Sequence, residues 1–202
     1  MSITSSFYDK NANELAKQYD GLDFESVHQS WIEYWPSKTQ RVLDIGAGSG
    51  RDAKWFDSLG CEVVAVEPAN RLRELGMLNT GSSVTWLDDC LPVLREVKSL
   101  SRQFDLILMS AVWMHIPIHQ RQQALLNLSE LLSQEGRLVI SLRHGVFLDG
   151  RESYGVSAPE LAQMAVDAGL AVCYLSESQD ALAREAVHWQ TVVLNKVCIE
   201  RK

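Results

Sequence analysis

The chain has 202 residues, 46% of them hydrophobic and 22% charged, a balance that excludes a disordered or fibrous chain and fits one ordinary globular domain. The formal net charge is −7, which excludes a broad electrostatic footprint for nucleic acid or an anionic membrane and leaves only local basic patches. No apolar run reaches membrane-spanning length, and the opening Met1-Ser-Ile-Thr-Ser lacks the apolar core of a secretion signal. Cys61, Cys90, Cys173 and Cys198 lie apart without a C-x-x-C pair, so they read as reduced, mostly buried thiols of a cytoplasmic protein.

Helical spacing comes first, over 11–19 and 24–35, with Val27, Trp31 and Tyr34 on one face. Pro36-Ser-Lys-Thr-Gln40 then leads into a strand over 41–45. That strand breaks into Gly46-x-Gly48-x-Gly50 and continues as a helix over 52–59, closed by Gly60. Strand, glycine turn, helix is how an open α/β sheet brings its backbone against a nucleotide, since glycine permits positive φ and carries no Cβ. A dinucleotide fingerprint would space its glycines G-x-G-x-x-G. The tighter spacing here, with Asp44 under the turn, disfavours a phosphate and favours an amine-bearing ligand. The strand over 61–67 ends in Glu67-Pro68, where a ribose-binding acid is expected, and two carboxylate oxygens accept from both ribose hydroxyls.

A helix over 70–78, capped by Asn70, precedes a strand over 84–87 that ends in Asp88-Asp89; 91–100 is a helix or crossover. Phe104-Asp-Leu-Ile-Leu-Met-Ser110 is nearly all apolar, as a central parallel strand buried on both faces requires. It delivers Ser110 to His115 to the carboxyl edge, where open α/β sheets place their ligands. The spacing predicts a helix over 118–132 with Ala124, Leu125, Leu128, Leu131 and Leu132 inward, while Met109 and Met114 read as core. A fifth strand over 137–142 runs into a loop holding Asp149, Arg151 and Tyr154. Ser157-Ala-Pro-Glu160 is a helix start, with a serine cap and proline in the first turn. Strands over 171–175 and 187–197 close the chain as a hairpin.

The motifs Val42-Leu-Asp-Ile-Gly-Ala-Gly-Ser-Gly50, Val66-Glu67-Pro68 and Phe104-Asp-Leu-Ile-Leu-Met-Ser110, each at a strand end, together resemble a small class I S-adenosylmethionine-dependent methyltransferase, from Phe7 onward. The resemblance implies an α/β, Rossmann-like three-layer sandwich. Its mostly parallel seven-stranded sheet would run 3-2-1-4-5-7-6 with strand 7 antiparallel. It also implies one domain, with a helical cap over 1–38 on a cofactor core over 39–202. The cofactor would be S-adenosyl-L-methionine, leaving as S-adenosyl-L-homocysteine. Its contacts would be Asp44, Gly46, Ala47, Gly48, Glu67, Pro68, one of Asp88 and Asp89 on the adenine, and Ser110 and Trp113 beside the methyl group. In such enzymes the N-terminal helices cap the cofactor, and Phe7-Tyr8-Asp9 and Tyr19 resemble aromatic motifs found there.

Methyl transfer is an in-line displacement, in which holding donor and acceptor together contributes about 7–11 kcal/mol. A base is needed only for an acceptor that arrives protonated; His115, His144 and Tyr154 are the candidates, each with an alternative structural role. No metal-ligand set is read. The segment after the fourth strand lacks the Asp/Asn-Pro-Pro-aromatic run of amino-group methyltransferases, and no Pro-Cys pair is present. With the acidic charge, this favours a small-molecule acceptor over DNA or RNA. Arg143 and Arg151 suit an acidic substrate, since guanidinium binds carboxylate bidentately, or are ordinary surface arginines. Two rivals stand: an NAD(P)-dependent Rossmann oxidoreductase, whose Tyr34/Lys38 pair would be misplaced, and a non-catalytic S-adenosylmethionine-binding module. A homodimer and a monomer both stay open.

Overall fold

The structure, a computed structural model, describes residues 3–197, so Cys198 lies outside the described residues. A seven-stranded sheet runs β3-β2-β1-β4-β5-β7-β6, built from β1 (Arg41–Ile45), β2 (Glu62–Val66), β3 (Thr85–Leu87), β4 (Phe104–Met109), β5 (Leu132–His144), β6 (Leu170–Gln179) and β7 (His188–Lys196). The strands from β3 to β5 pair in parallel, and β7 pairs antiparallel with both β5 and β6. This is the expected order and the expected antiparallel strand.

Alternation along each strand divides the core, because successive side chains point to opposite faces. Leu43, Ile45, Val64, Ile107 and Ile140 join one cluster, together with Leu125 and Leu128 of α7 (Ile118–Leu131) and Leu161 of α8 (Ala158–Asp167). Val42, Val63, Ala65, Leu106 and Val139 join the other, together with Phe56 of α4 (Arg51–Leu59) and the cap aromatics Phe24 and Trp31. The doubly buried β4 follows from its unbroken apolar run. The Ser157 hydroxyl caps α8 by accepting from the Glu160 N–H.

Several boundaries differ from the expectation. The cap is α1 (Ile3–Lys10), α2 (Ala12–Asp20), α3 (Phe24–His28) and a 3₁₀ segment, Gln29–Tyr34, rather than two helices. Helical geometry fails at Trp31 (φ −127°), whose fully buried indole donates to His28 Nδ1 at 3.1 Å. Helix α5 (Asn70–Thr80) has Ala69 at its cap position, and the Asn70 side chain reaches forward to Glu74 instead. Leu132 belongs to β5, opposite Phe104 across an irregularity, not to α7. Strand β6 extends to Gln179 because β7 offers it partners as far as His188. Of the cysteines, Cys61 is buried, but Cys90 and Cys173 are exposed.

Candidate active site

The glycine turn is set by backbone bonds. The N–H groups of Gly46 and Ala47 both donate to Val66 O, at 2.8 and 3.0 Å, and Gly50 N–H closes on Ala47 O at 2.9 Å. Gly46 sits at φ +70°, and a Cβ there would stand 2.5 Å from Val112 Cγ2, so the β1 turn can approach the segment after β4 only with glycine. Gly48 N–H donates to Glu67 Oε2 at 2.9 Å, and Ala69 N–H donates to Oε1 at 2.8 Å. Glu67 is 6% exposed. Burial pushes its carboxyl up to about 7, against the two N–H groups and Arg73.

Below the turn, Asp44 is buried with Oδ2 unpartnered. Burial first, then the neighbouring Asp52, push its carboxyl well above the carboxylate range. Burial works the same way on Asp52, but Arg51 and His28 outweigh it and hold that carboxyl low. Arg51 donates to Asp52 through Nε at 2.6 Å and Nη2 at 3.0 Å. Because Trp31 donates to His28 Nδ1, the His28 proton sits on Nε2 and faces Asp52 Oδ2 at 3.0 Å.

These groups border a cavity of about 730 Å³ at the carboxyl ends of β1, β2 and β4. One wall is the glycine turn with Glu67 and Pro68; the next is Ser110, Ala111, Val112 and His115; the cap contributes Tyr8 and Tyr19. His115 Nδ1 lies 2.7 Å from the Glu152 carbonyl, which only accepts, so Nδ1 carries the proton and Nε2 is the acceptor. Nε2 then takes the Tyr8 hydroxyl at 2.9 Å, while Arg151 Nη1 donates to the Tyr8 oxygen at 3.0 Å. Burial, with Arg151 and Arg143 adding to it, lowers the His115 pKa; burial raises that of Tyr8.

Gly46, Ala47, Gly48, Glu67, Pro68, Asp89, Ser110 and His115 therefore border one cavity, and Asp44 lies beneath it. Besides Asp44, four expected residues do not border it. Trp113 is fully buried in the core, with the Arg121 guanidinium 5.5 Å from its ring. The 3₁₀ turn Trp113–His115 sends Trp113 inward and leaves His115 at the cavity. Asp88 turns outward to Arg73 at 3.2 Å, its side chain 70% exposed. His144 bonds Gln190 at 2.9 Å and stacks on His188 at 4.4 Å. The Tyr154 hydroxyl donates to Glu152 at 2.7 Å. Asp89 borders the cavity, but its carboxylate accepts the Cys90 and Val97 N–H groups. Sequence reasoning missed His28, Arg51, Asp52, Asp180 and Arg184 as cavity residues. Only Arg51-Asp52, directly after Gly50, stood close enough to a motif to be found.

A sheet of this order, with a glycine turn and a strand-end carboxylate opening on one crevice, defines a Rossmann-like α/β domain of the nucleotide-binding kind. A family model described as methyltransferase domain matches residues 8–190, and the chain belongs to that family. It is similar to an "Uncharacterized methyltransferase" of Alkaliphilus oremlandii, 27% identical over 125 residues, covering 58% of this chain and 53% of that protein. Against one from Oceanobacillus iheyensis, 26% identical over 132 residues, the shares are 65% and 60%. The chain thus spans about half to three-fifths of the length of these curated relatives. Among solved structures, a TehB-like SAM-dependent methyltransferase from Corynebacterium glutamicum matches with TM-score 0.70 at 22% identity, over 96% of this chain and 98% of that one. At that identity the likeness is one of fold.

Proposed function

We propose that the chain is an S-adenosylmethionine-dependent methyltransferase acting on a small molecule held in the 730 Å³ cavity, within the roughly 300–1,000 Å³ common for small-molecule sites. One observation carries the reading: the Glu67 carboxylate, aligned by the Gly48 and Ala69 N–H groups, shares that cavity with the Tyr8–His115 pair. Each Glu67 oxygen has spent one lone pair on the backbone and keeps another for a ribose hydroxyl. The space above Gly48 is open, since a Cβ there would meet nothing nearer than Tyr19 at 3.7 Å. In this reading 1–38 caps the core over 39–202 in one domain, in a reducing compartment such as the cytoplasm. Among the described residues no helix is long and apolar enough to cross a membrane.

When bound, the cofactor supplies a methyl group on a sulfonium. Glu67, Gly46, Ala47, Gly48 and Pro68 would hold it, with Asp89 and Leu91 beside its base. Tyr8 and Tyr19 cover the crevice from the cap and keep water out. An acceptor that arrives protonated gives its proton to the Tyr8 oxygen, while the Tyr8 proton moves to His115 Nε2. His115 accepts it because desolvation keeps the ring neutral and Glu152 O fixes the tautomer.

Calorimetry with S-adenosylmethionine and with NADH, run separately, tests the cofactor. Methyl-labelled cofactor in a metabolite extract, read by mass spectrometry for added CH₂, tests turnover. Saturable S-adenosylmethionine binding and a labelled small product are expected. NADH binding alone would mean an oxidoreductase; binding with no product from any extract would mean a non-catalytic module.

A further inference from the structure

Besides Arg51, three arginines stand on the cavity wall: Arg143 near the end of β5, Arg151 in the following loop, and Arg184 before β7. Two of them are neutralised. Asp149 receives Arg151 Nε at 3.0 Å. Asp180 receives Arg184 Nε at 2.8 Å and Nη2 at 2.7 Å, and the Trp189 N–H at 2.9 Å. Arg143 has no carboxylate within ion-pair distance among the described residues. It is only 7% exposed. Of its guanidinium nitrogens Nη1 donates to Gly145 O at 2.6 Å, and the buried Nε has no partner. Its guanidinium also lies over the face of Phe147, 3.8 Å from the ring centroid. Burial, with Arg184 and Arg151 close by, works against its charge.

Asp180 and Asp149 favour its charge only from beyond ion-pair distance, and a buried guanidinium in direct contact with one carbonyl and a ring face is costly unless an anion completes it. The place is also next to the chemistry: Phe147 lies 5.5 Å from the His115 ring and 4.6 Å from the Arg151 guanidinium. Resting on the methyltransferase reading of this cavity, we propose that the methyl acceptor is a small carboxylate-bearing molecule and that Arg143 is the residue that anchors and selects it. Of these three arginines Arg143 alone lacks a carboxylate partner, which suits a single carboxylate group on the ligand. A guanidinium fork meets a carboxylate with two parallel N–H···O bonds, and Phe147 and Trp189 offer apolar surface to the rest of the molecule.

The test uses the full chain saturated with S-adenosylhomocysteine and titrated by calorimetry with benzoate and with its neutral isostere benzamide. Benzoate is expected to bind saturably and benzamide not. Arg143→Gln is expected to weaken benzoate by about tenfold or more while S-adenosylhomocysteine affinity is unchanged, which also reports that the variant is folded. Arg143→Lys keeps the charge without the fork and falls between; with the benzoate–benzamide contrast in the parent chain, it decides the matter if the glutamine variant does not fold. Equal binding of benzoate and benzamide, or benzoate affinity untouched by Arg143→Gln, overturns the proposal. So does displacement of S-adenosylhomocysteine by benzoate, which would assign the anion site to the cofactor's own carboxylate. Failure of S-adenosylhomocysteine to bind at all refutes the underlying methyltransferase reading before any benzoate is added, so the two failures are distinct.

Discussion

The two sides of the cavity are held in different ways. On the β1–β2 side the cavity is bordered by the backbone of the glycine turn and one carboxylate, fixed by short local bonds among Gly46, Gly48, Val66, Glu67 and Ala69. On the β4–β5 side the groups are side chains drawn from distant parts of the chain. Tyr8 comes from α1, His115 from the turn after β4, and Arg143, Phe147 and Arg151 from the end of β5 and its loop. The first side is built for one ligand with fixed hydrogen-bonding needs. The second changes with any substitution in several separate segments, which is how a fixed cofactor geometry accommodates varied acceptors.

The largest effect should come from breaking the second side without touching the first. His115→Gln is expected to lower kcat by about 10²–10⁴-fold, with S-adenosylmethionine affinity nearly intact by calorimetry. Tyr8→Phe should cost a similar factor, and the double variant little more, because the two act as one unit. Since desolvation lowers the His115 pKa below its ordinary 6.5, the parent's kcat should hold as pH falls through 6.5 and drop only below it. That acid limb should vanish in His115→Gln. Unimpaired turnover with reduced thermal stability would make His115 a structural residue.

The first side breaks differently. Gly48→Val places a branched side chain at φ +58° in the open space of the turn. We expect cofactor binding to weaken by at least about a hundredfold, some 2.7 kcal/mol, with the far-UV spectrum unchanged. Glu67→Ala should weaken it by about 1.5–3 kcal/mol. The pH signs are separable. The Glu67 carboxyl titrates near 7 in the fold against an ordinary 4.5, so the folded state holds the extra proton. Its stabilising contribution in the unliganded chain is complete below about 4.5 and is lost as pH rises through about 7. Ribose hydroxyls donate to the ionised form, so cofactor affinity should instead rise through the same window. Glu67→Ala should flatten both profiles; pH-independent binding by the parent would remove Glu67 from the ribose site.

This contrast also decides what was legible beforehand. The strand order and the glycine turn could be read because they rest on local patterns: an apolar run, a glycine spacing, a carboxylate at a strand end. Trp113 was misplaced because a single 3₁₀ turn decides which of two neighbours, Trp113 or His115, faces the cavity, and no periodicity encodes that choice. His28, Asp180 and Arg184 were invisible for another reason. His28 reaches the cavity where the end of α3 meets Asp52 of α4, and Asp180 and Arg184 reach it from the segment that follows the pairing of β6 with β7 as far as Gln179. That Arg143 lacks a carboxylate partner while Arg151 and Arg184 have one likewise appears only once the loop after β5 and the segment before β7 meet at one wall.

The smallest effects should come from the two base candidates that face elsewhere, and they sharpen the contrast by being small. His144 is the last residue of β5, one position past Arg143, so alternation along the strand sends it to the opposite face. There it bonds Gln190 and stacks flat on His188, cross-strand on β7. Tyr154 does not border the cavity, and its hydroxyl is spent on Glu152. Neither side chain can take a proton from a molecule bound between Glu67 and His115. His144→Gln and Tyr154→Phe should therefore leave kcat within about twofold, against the 10²–10⁴-fold expected of a general base. What each loses is one hydrogen bond near the surface, seen as a small drop in Tm at most. A hundredfold loss of kcat in His144→Gln, with cofactor affinity kept, would move the base to the β5–β7 face and leave the Tyr8–His115 bond as packing of the cap.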